Sequence, residues 1–147
     1  MGKPFHFQLE HVLHYRQRLE EEARLELAKA QNAYQAQVRL MESLRQKVND
    51  AESHLKSRRD LPGEELWLWT TYRERLLQDI DRNELQLQRL AARVTACRTT
   101  LVQRSKEMKM LERLKTRQTV EYYAEQKREE QKELDEMASF RHQYKGF

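Results

Sequence analysis

The feature that most constrains this chain is the placement of its few helix-breaking residues. Two long stretches, Phe5–Leu61 and Glu64–Lys145, contain neither glycine nor proline. A proline inside a helix costs about 3 kcal/mol and a glycine about 1 kcal/mol, so both stretches are free to form very long helices. Between them, Asp60–Gly63 has the composition of a tight turn, in which Pro62 presets φ and Gly63 supplies a left-handed residue. The sequence therefore predicts two long helices joined by one sharp turn.

The composition favours an extended coiled coil over an ordinary globular domain. Charged residues make up 35% of the 147 residues, compared with about 25% in an average globular protein. Apolar residues make up 38%, which is low for a chain that fills a three-dimensional core. So hydrophilic a chain can also be disordered, but its apolar residues recur at regular spacing, and this argues against disorder.

In the first half of the chain the apolar residues advance in steps of three and four. Such a stripe is an a/d heptad pattern, which an isolated helix cannot bury. Two successive steps of four, from Leu19 through Ala23 to Leu27, predict a local unwinding of the supercoil. The stripe comprises Leu9, Val12, Arg16, Leu19, Ala23, Leu27, Ala30, Tyr34, Gln37, Met41, Leu44, Val48, Ala51 and Leu55.

The second half carries a matching stripe. We therefore predict an all-α fold: a long antiparallel two-stranded coiled-coil hairpin that forms a single elongated domain over residues 1–147. Its first helix covers about residues 6–58, its turn residues 60–63, and its second helical part residues 64–143. In one alternative, residues 64–81 form a short extra helix near the tip. The second stripe comprises Trp69, Tyr72, Leu76, Ile80, Asn83, Leu87, Leu90, Val94, Cys97, Leu101, Arg104, Met108 and Leu111.

The sequence lacks the motifs of common catalytic sites. It contains no Gly-rich phosphate loop, paired-cysteine zinc pattern or nucleophile elbow, and two helices form no cleft in which groups converge. We expect no enzyme, no catalytic residues and no cofactor. His11 and His14 lie three residues apart near His6, but no further well-placed ligand accompanies them, so we predict no metal site.

Three further observations concern the setting of the protein. The lone Cys97 indicates a reducing compartment, and no apolar run approaches the roughly 18 residues of a membrane span. We expect a cytoplasmic protein without direct membrane insertion.

The stretch Arg104–Arg117 is basic and Glu121–Met137 is acidic, but the net charge is only +4 and acids are interspersed. We therefore expect no nucleic acid as a partner.

The stretch Leu66–Tyr72, next to the turn, is the most concentrated aromatic region of the chain. Trp69 and Tyr72 follow the predicted seam and are expected to pack at the hairpin tip. Trp67 lies two residues from Trp69, so it points elsewhere on a helix. Packing at the tip and binding of a partner remain open for Trp67.

Distinctive motifs lie at the two ends of the chain, in Phe5–Arg16 and Glu129–Arg141. Shorter motifs lie in Glu20–Ala23, Leu27–Gln31 and Lys106–Leu114. Together these segments resemble the FliJ family of bacterial flagellar export proteins, and the overall length and organisation of the chain agree with this resemblance.

This resemblance implies a central-stalk-like protein of the flagellar type III export apparatus. Its partners would be the hexameric export ATPase with its regulatory subunit, the cytoplasmic domain of the membrane export gate, and the export chaperones. It would be cytoplasmic, peripherally associated with the inner face of the cell membrane at the flagellar base, and needed for motility and chemotaxis. We expect a monomer, because the two helices of a hairpin bury their apolar stripes against each other.

The resemblance also suggests which residues contact these partners. At the paired ends of the hairpin we assign the ATPase contact to Phe5, Leu9, Arg16, Glu130, Lys132, Asp135 and Glu136. Arg16 has a second interpretation, in which it pairs with an acid across the hairpin. At the opposite tip we assign the export-gate or chaperone contact to Trp67, Trp69, Tyr72 and Leu76.

Three other interpretations remain. A stalk protein of a virulence type III secretion system would share this architecture and charge pattern. A self-associating structural coiled coil would pair its seam between chains rather than within one. A basic nucleic-acid-binding coil would lose affinity steeply as salt rises.

Overall fold

The computed structural model describes residues 2–57 and 60–145. Within these ranges the chain forms two helices and no strand: α1, Glu10–Ser57, with 48 residues, and α2, Gly63–Lys145, with 83 residues. The prediction of an all-α helical hairpin is confirmed.

Both helices differ from the predicted bounds near their ends. α1 begins at Glu10 rather than near residue 6, and the amide of Glu10 donates a hydrogen bond to the carbonyl of Phe7 at 3.2 Å. The predicted end of the first helix at residue 58 lies outside the described residues. α2 is continuous from Gly63 onward, so the alternative of a separate short helix over residues 64–81 is wrong.

The turn has a different backbone from the one expected. No described glycine has a positive φ, and Gly63 is the first residue of α2. The carbonyl of Pro62 accepts the amide of Leu66 at 3.0 Å, which places Pro62 just outside the first helical turn. The prediction that Gly63 supplies a left-handed residue is therefore wrong: Gly63 already has helical backbone.

The chain divides into two compact units. The turn unit comprises residues 21–102. The terminal unit comprises residues 1–20 and 103–147. The assignment of residues 1–147 to a single elongated domain stays a prediction.

In the turn unit, α1 and α2 pair in antiparallel fashion. Ion pairs between the helices show this direction, because the residue on α1 becomes earlier as its partner on α2 becomes later. The three pairs are Glu52–Arg73 at 3.0 Å, Arg45–Glu84 at 3.7 Å and Glu26–Arg93 at 3.6 Å. The best-formed apolar cluster of this unit consists of Leu44, Val48 and Leu76, with Leu77 and Ile80 packed against it.

The seam of α1 is more regular than the apolar residues alone suggested. Leu9 and Val12 are exposed, whereas Leu13 and Glu20 are buried. With Glu20 in the seam in place of Leu19, the steps alternate three and four without a break, so the predicted unwinding at Leu19 is wrong. The inward positions are Leu13, Arg16, Glu20, Ala23, Leu27, Ala30, Tyr34, Gln37, Met41, Leu44, Val48, Ala51 and Leu55.

In α2, too, a charged residue takes a seam position that was expected for an apolar neighbour. Tyr72 is 42% exposed, and the half-buried Arg73 takes the seam position between Trp69 and Leu76. Arg73 reaches this position because its long apolar stem can lie over the seam while its head bonds to Glu52. From Arg73 to Tyr122 the three-four alternation is unbroken, and every inward position is buried or half-buried.

We expect Leu76→Ala to lower the free energy of unfolding by about 2 to 4 kcal/mol, because it leaves a cavity beside Leu44 and Val48. Urea unfolding followed by circular dichroism measures this change. Leu85→Ala is the matched control: Leu85 is also on α2 but exposed, so its effect should stay within about 0.5 kcal/mol. Equal losses in both variants would show that the Leu76 cluster is not a stabilising core.

Candidate functional site

In the terminal unit, the residues that precede α1 lie along α2. The rings of Phe5 and Tyr122 are 5.5 Å apart between centroids, and the amide of Phe5 donates to the hydroxyl of Tyr123 at 3.5 Å. The carbonyl of Lys3 accepts hydrogen bonds from the Tyr122 hydroxyl and, at 3.1 Å, from the Gln126 side-chain amide. The non-helical N-terminal segment is thus attached to α2 by both aromatic and polar contacts.

Phe7 is the residue of this segment that sequence reasoning missed. It is buried, as is Leu13 six residues later in α1. Phe7 precedes α1, so no helical periodicity applies to it. The available signal was a large apolar residue a few positions before the first helical turn, a common position for packing at a helix start.

Arg16 forms a short ion pair in the terminal unit. Its Nη1 atom lies 2.6 Å from Oε2 of Glu107 on α2. Glu107 also accepts a hydrogen bond from Gln103 at 3.1 Å, and Arg104 lies 3.7 Å away. The Gln103 hydrogen bond, with the charges of Arg16 and Arg104, holds the pKa of Glu107 below its ordinary value of 4.5. The structure thus bears out the interpretation in which Arg16 pairs with an acid across the hairpin.

A second ion pair lies nearer the start of α1. The Nζ atom of Lys115 lies 3.0 Å from the Glu10 carboxylate, and His14 Nε2 lies 3.2 Å from the same group. The hydrogen bond from Lys115 is the main reason that the pKa of Glu10 is lowered from 4.5. The first turn of α1 is therefore attached to α2 by charge as well as carrying the buried Leu13.

The candidate residues on α2 lie beyond this paired region. Gln126 is the last half-buried position of α2, and every described side chain from residue 127 to 144 is exposed. Of the candidates there, Asp135 accepts a hydrogen bond from Gln131 at 3.0 Å. The residues assigned to the ATPase contact therefore fall into two groups. Phe5 and Arg16 are engaged with α2, whereas exposed positions are held by Leu9, Glu130, Lys132, Asp135 and Glu136.

The candidate residues in the turn unit also divide by burial. Trp67 is 66% exposed, as expected for a side chain that points away from the seam. Trp69 is half-buried, with its ring centroid 4.0 Å from that of His54, and Tyr72 meets Trp69 edge-on at 6.0 Å. Leu76 lies in the apolar cluster with 5% exposure. Trp67 is thus the freest of the four to contact a partner.

The described residues were also compared with the requirements of a metal site and of a membrane-spanning helix. Within residues 2–57 and 60–145, no group of three or more acidic, histidine or cysteine side chains is placed to hold a metal ion. Neither described helix has a stretch long and apolar enough to cross a membrane.

Two long helices paired along a heptad seam, with the exposed candidate residues on their outer faces, define a coiled-coil protein. A family model described as "Flagellar FliJ protein" matches residues 5–146. Because this match covers nearly the whole chain, the chain belongs to the FliJ family, as its ends predicted. The family consists of non-enzymatic components of flagellar export. No curated protein and no solved structure matches the chain.

The two lowered pKa values predict how the terminal unit responds to acid. A carboxylate whose pKa is lower in the folded state contributes stability above its unfolded pKa, and this is lost as pH falls through the folded value. We therefore expect the thermal stability of the native chain to fall below about pH 4.5, the ordinary value for Glu10 and Glu107. The double variant Glu10→Gln with Glu107→Gln should lose less stability than the native chain between pH 6 and about pH 3.5. An identical decline in both proteins would contradict the assignment.

Proposed function

We propose that this chain is a central-stalk-like component of flagellar export that engages the hexameric export ATPase and promotes its assembly and activity. The observation that carries the proposal is the family match over residues 5–146. The terminal unit supports it, because it offers an exposed helical segment, residues 127–144, beyond the region where α1 and α2 pair. The ATPase's regulatory subunit is a further partner in this proposal.

A helical element without an enclosed site can act on a ring of subunits through asymmetric contact. Inside a six-fold ring it touches different subunits with different side chains, and this biases their conformations only if its contact energy differs between them. The exposed face of residues 127–144 has such variation: acids at Glu130, Asp135 and Glu136 are interrupted by the base Lys132. We assign the ATPase contact mainly to this segment.

The N-terminal candidates take different parts in this proposal. Leu9 is exposed beside the first turn of α1 and is free to touch the ATPase directly. Phe5 and Arg16 act chiefly by holding the start of the chain against Tyr122 and Glu107 of α2. They position the contact surface rather than form most of it.

The turn unit provides the second proposed surface. We assign contact with the cytoplasmic domain of the export gate, or with export chaperones, to Trp67 with support from Trp69 and Tyr72. Leu76 is left out of this surface because its side chain is buried. Such contacts would keep a cytoplasmic protein peripherally associated with the inner face of the membrane at the flagellar base, in support of motility and chemotaxis.

The ATPase contact predicts that deletion of residues 129–147 abolishes stimulation of the export ATPase from the same organism. Helix content per residue should be retained, because no described side chain of the deleted segment is buried. Hydrolysis rate and ring formation, measured with purified proteins, test this. Stimulation that survives the deletion would refute the assignment. A folded chain that acts on no flagellar ATPase but stimulates one from a virulence secretion system would favour that alternative.

A point variant separates loss of charge from loss of the segment. Asp135→Lys with Glu136→Lys should reduce stimulation severalfold, as expected when rim charges of an interface are reversed. Asp79→Lys with Asp81→Lys is the matched control, because these two acids are exposed on α2 in the turn unit. Equal effects of the two variants would indicate a general charge effect rather than a local contact.

The turn-unit contact predicts that Trp67→Ala lowers export and swimming motility while ATPase stimulation is preserved. A largely exposed tryptophan adds little to folding, but exposed aromatics act as binding anchors. Leu85→Ala, which removes another exposed apolar side chain of α2 in the turn unit, is the control and should leave motility intact. Normal motility of the Trp67→Ala strain would remove Trp67 from the proposed surface.

A further inference from the structure

The segment of residues 127–144 carries an exposed apolar face. Its four large apolar side chains, Leu134, Met137, Phe140 and Tyr144, keep between 59% and 71% of their surface accessible. At 3.6 residues per turn they fall within an arc of about 120°, wide enough to pack against another helix. The rings of Phe140 and Tyr144 lie 4.8 Å apart between centroids.

This face is not a continuation of the seam between α1 and α2. The three-four alternation of α2, extended past Tyr122, falls on Glu125, Glu129, Lys132 and Glu136, all of which are charged. Leu134, Met137 and Tyr144 follow a separate alternation on another side of the helix, and Phe140 lies at the edge of it. Pairing with α1 therefore does not explain why they are apolar.

The separate alternation has a symmetric distribution of charge. Its centre is apolar, with Leu134 and Met137, and it has an acid before this centre and a base after it. The steps between successive positions are three, four, three, four and three, which fits a heptad stripe. The positions are Lys127, Glu130, Leu134, Met137, Arg141 and Tyr144.

We propose that this segment pairs in antiparallel fashion with the same segment of a second copy of the chain. When Leu134 of one copy lies opposite Met137 of the other, Glu130 lies opposite Arg141, and Lys127 lies opposite Tyr144. The two-fold axis of such a pair forms each of these contacts twice. On each side of the apolar centre, such a pair has one Glu130–Arg141 ion pair and one Lys127 cation beside a Tyr144 ring.

The charges select this direction. In a parallel pair at the same heptad positions, Glu130 meets Glu130 and Arg141 meets Arg141, and like charges that face each other disfavour the arrangement. The antiparallel pair converts both repulsions into attractions. The segment is complementary to itself in one orientation, and this identifies a second copy as the occupant of the face.

The dimer is small and concentration-dependent. Eighteen helical residues span about 27 Å, and so short a contact gives a dissociation constant on the order of micromolar. The expectation of a monomer concerned the seam between α1 and α2, and this face lies outside that seam. The inference does not depend on the proposed function, but the dimer covers Glu130, so binding of an ATPase there would compete with self-association.

Sedimentation equilibrium of the full chain tests the proposal over roughly 1 to 500 µM, which brackets a dissociation constant of that order. Arg141→Glu should weaken the dimer about tenfold or more, because acid then faces acid. The double variant Glu130→Arg with Arg141→Glu should restore it, because the swap re-forms both ion pairs. Arg128→Glu makes the same charge change about half a turn from the face and should leave the dimer unchanged.

Disulfide trapping tests the direction of pairing, in a Cys97→Ala background so that the native thiol does not interfere. Leu134→Cys alone and Met137→Cys alone should give little linked dimer, and a mixture of the two should give it efficiently. A chain that stays monomeric throughout the concentration range overturns the proposal. So does a charge swap that fails to restore the dimer, or efficient trapping with Leu134→Cys alone.

Discussion

The structure depends on the unbroken alternation of three and four residues between successive inward positions of both helices. Two helices stay in contact over many turns only if inward positions recur at this spacing. The spacing takes precedence over residue type: Glu20 and Arg73 occupy inward positions, while neighbouring Leu19 and Tyr72 do not take them. One layer of the seam is polar, and its two side chains bond to each other across the helices. The side-chain amide of Gln37 donates to the Asn83 side chain at 2.9 Å and to the Asn83 backbone carbonyl at 3.1 Å.

The two units use different interactions to hold their helices together. The turn unit has an apolar cluster around Leu44, Val48 and Leu76. The terminal unit relies on the buried Phe7 and Leu13, on aromatic contacts of Phe5, and on ion pairs whose side chains remain between 27% and 40% exposed. Such exposed pairs contribute little stability each.

Two errors of the sequence interpretation have the same physical origin. Leu19 and Tyr72 were assigned to the seam because they are apolar, although each created two successive steps of four. A three-four count carried back from Leu27 and from Ile80 would have placed Glu20 and Arg73 there. The burial of Phe7 and the backbone of Gly63 have another origin, because both lie outside the periodic part of the helices, where spacing carries no information. For the candidate site, the exposure of Trp67 and of the acids after residue 129 followed from spacing and charge. The engagement of Phe5 with Tyr122 did not.

The sequence by itself determined the all-α class, the position of the turn and the family, because breaker residues, heptad spacing and terminal motifs are local properties of the chain. Only the tertiary structure decided the register, since many alignments of two heptad stripes bury similar apolar surface. It thereby decided that Arg16 meets Glu107 and that Lys115 meets Glu10. It also decided where pairing ends: among the described residues, the N-terminal segment reaches Gln126, which bonds to Lys3. A helix of 83 residues paired with one of 48 leaves an exposed segment, and its location depends on the register.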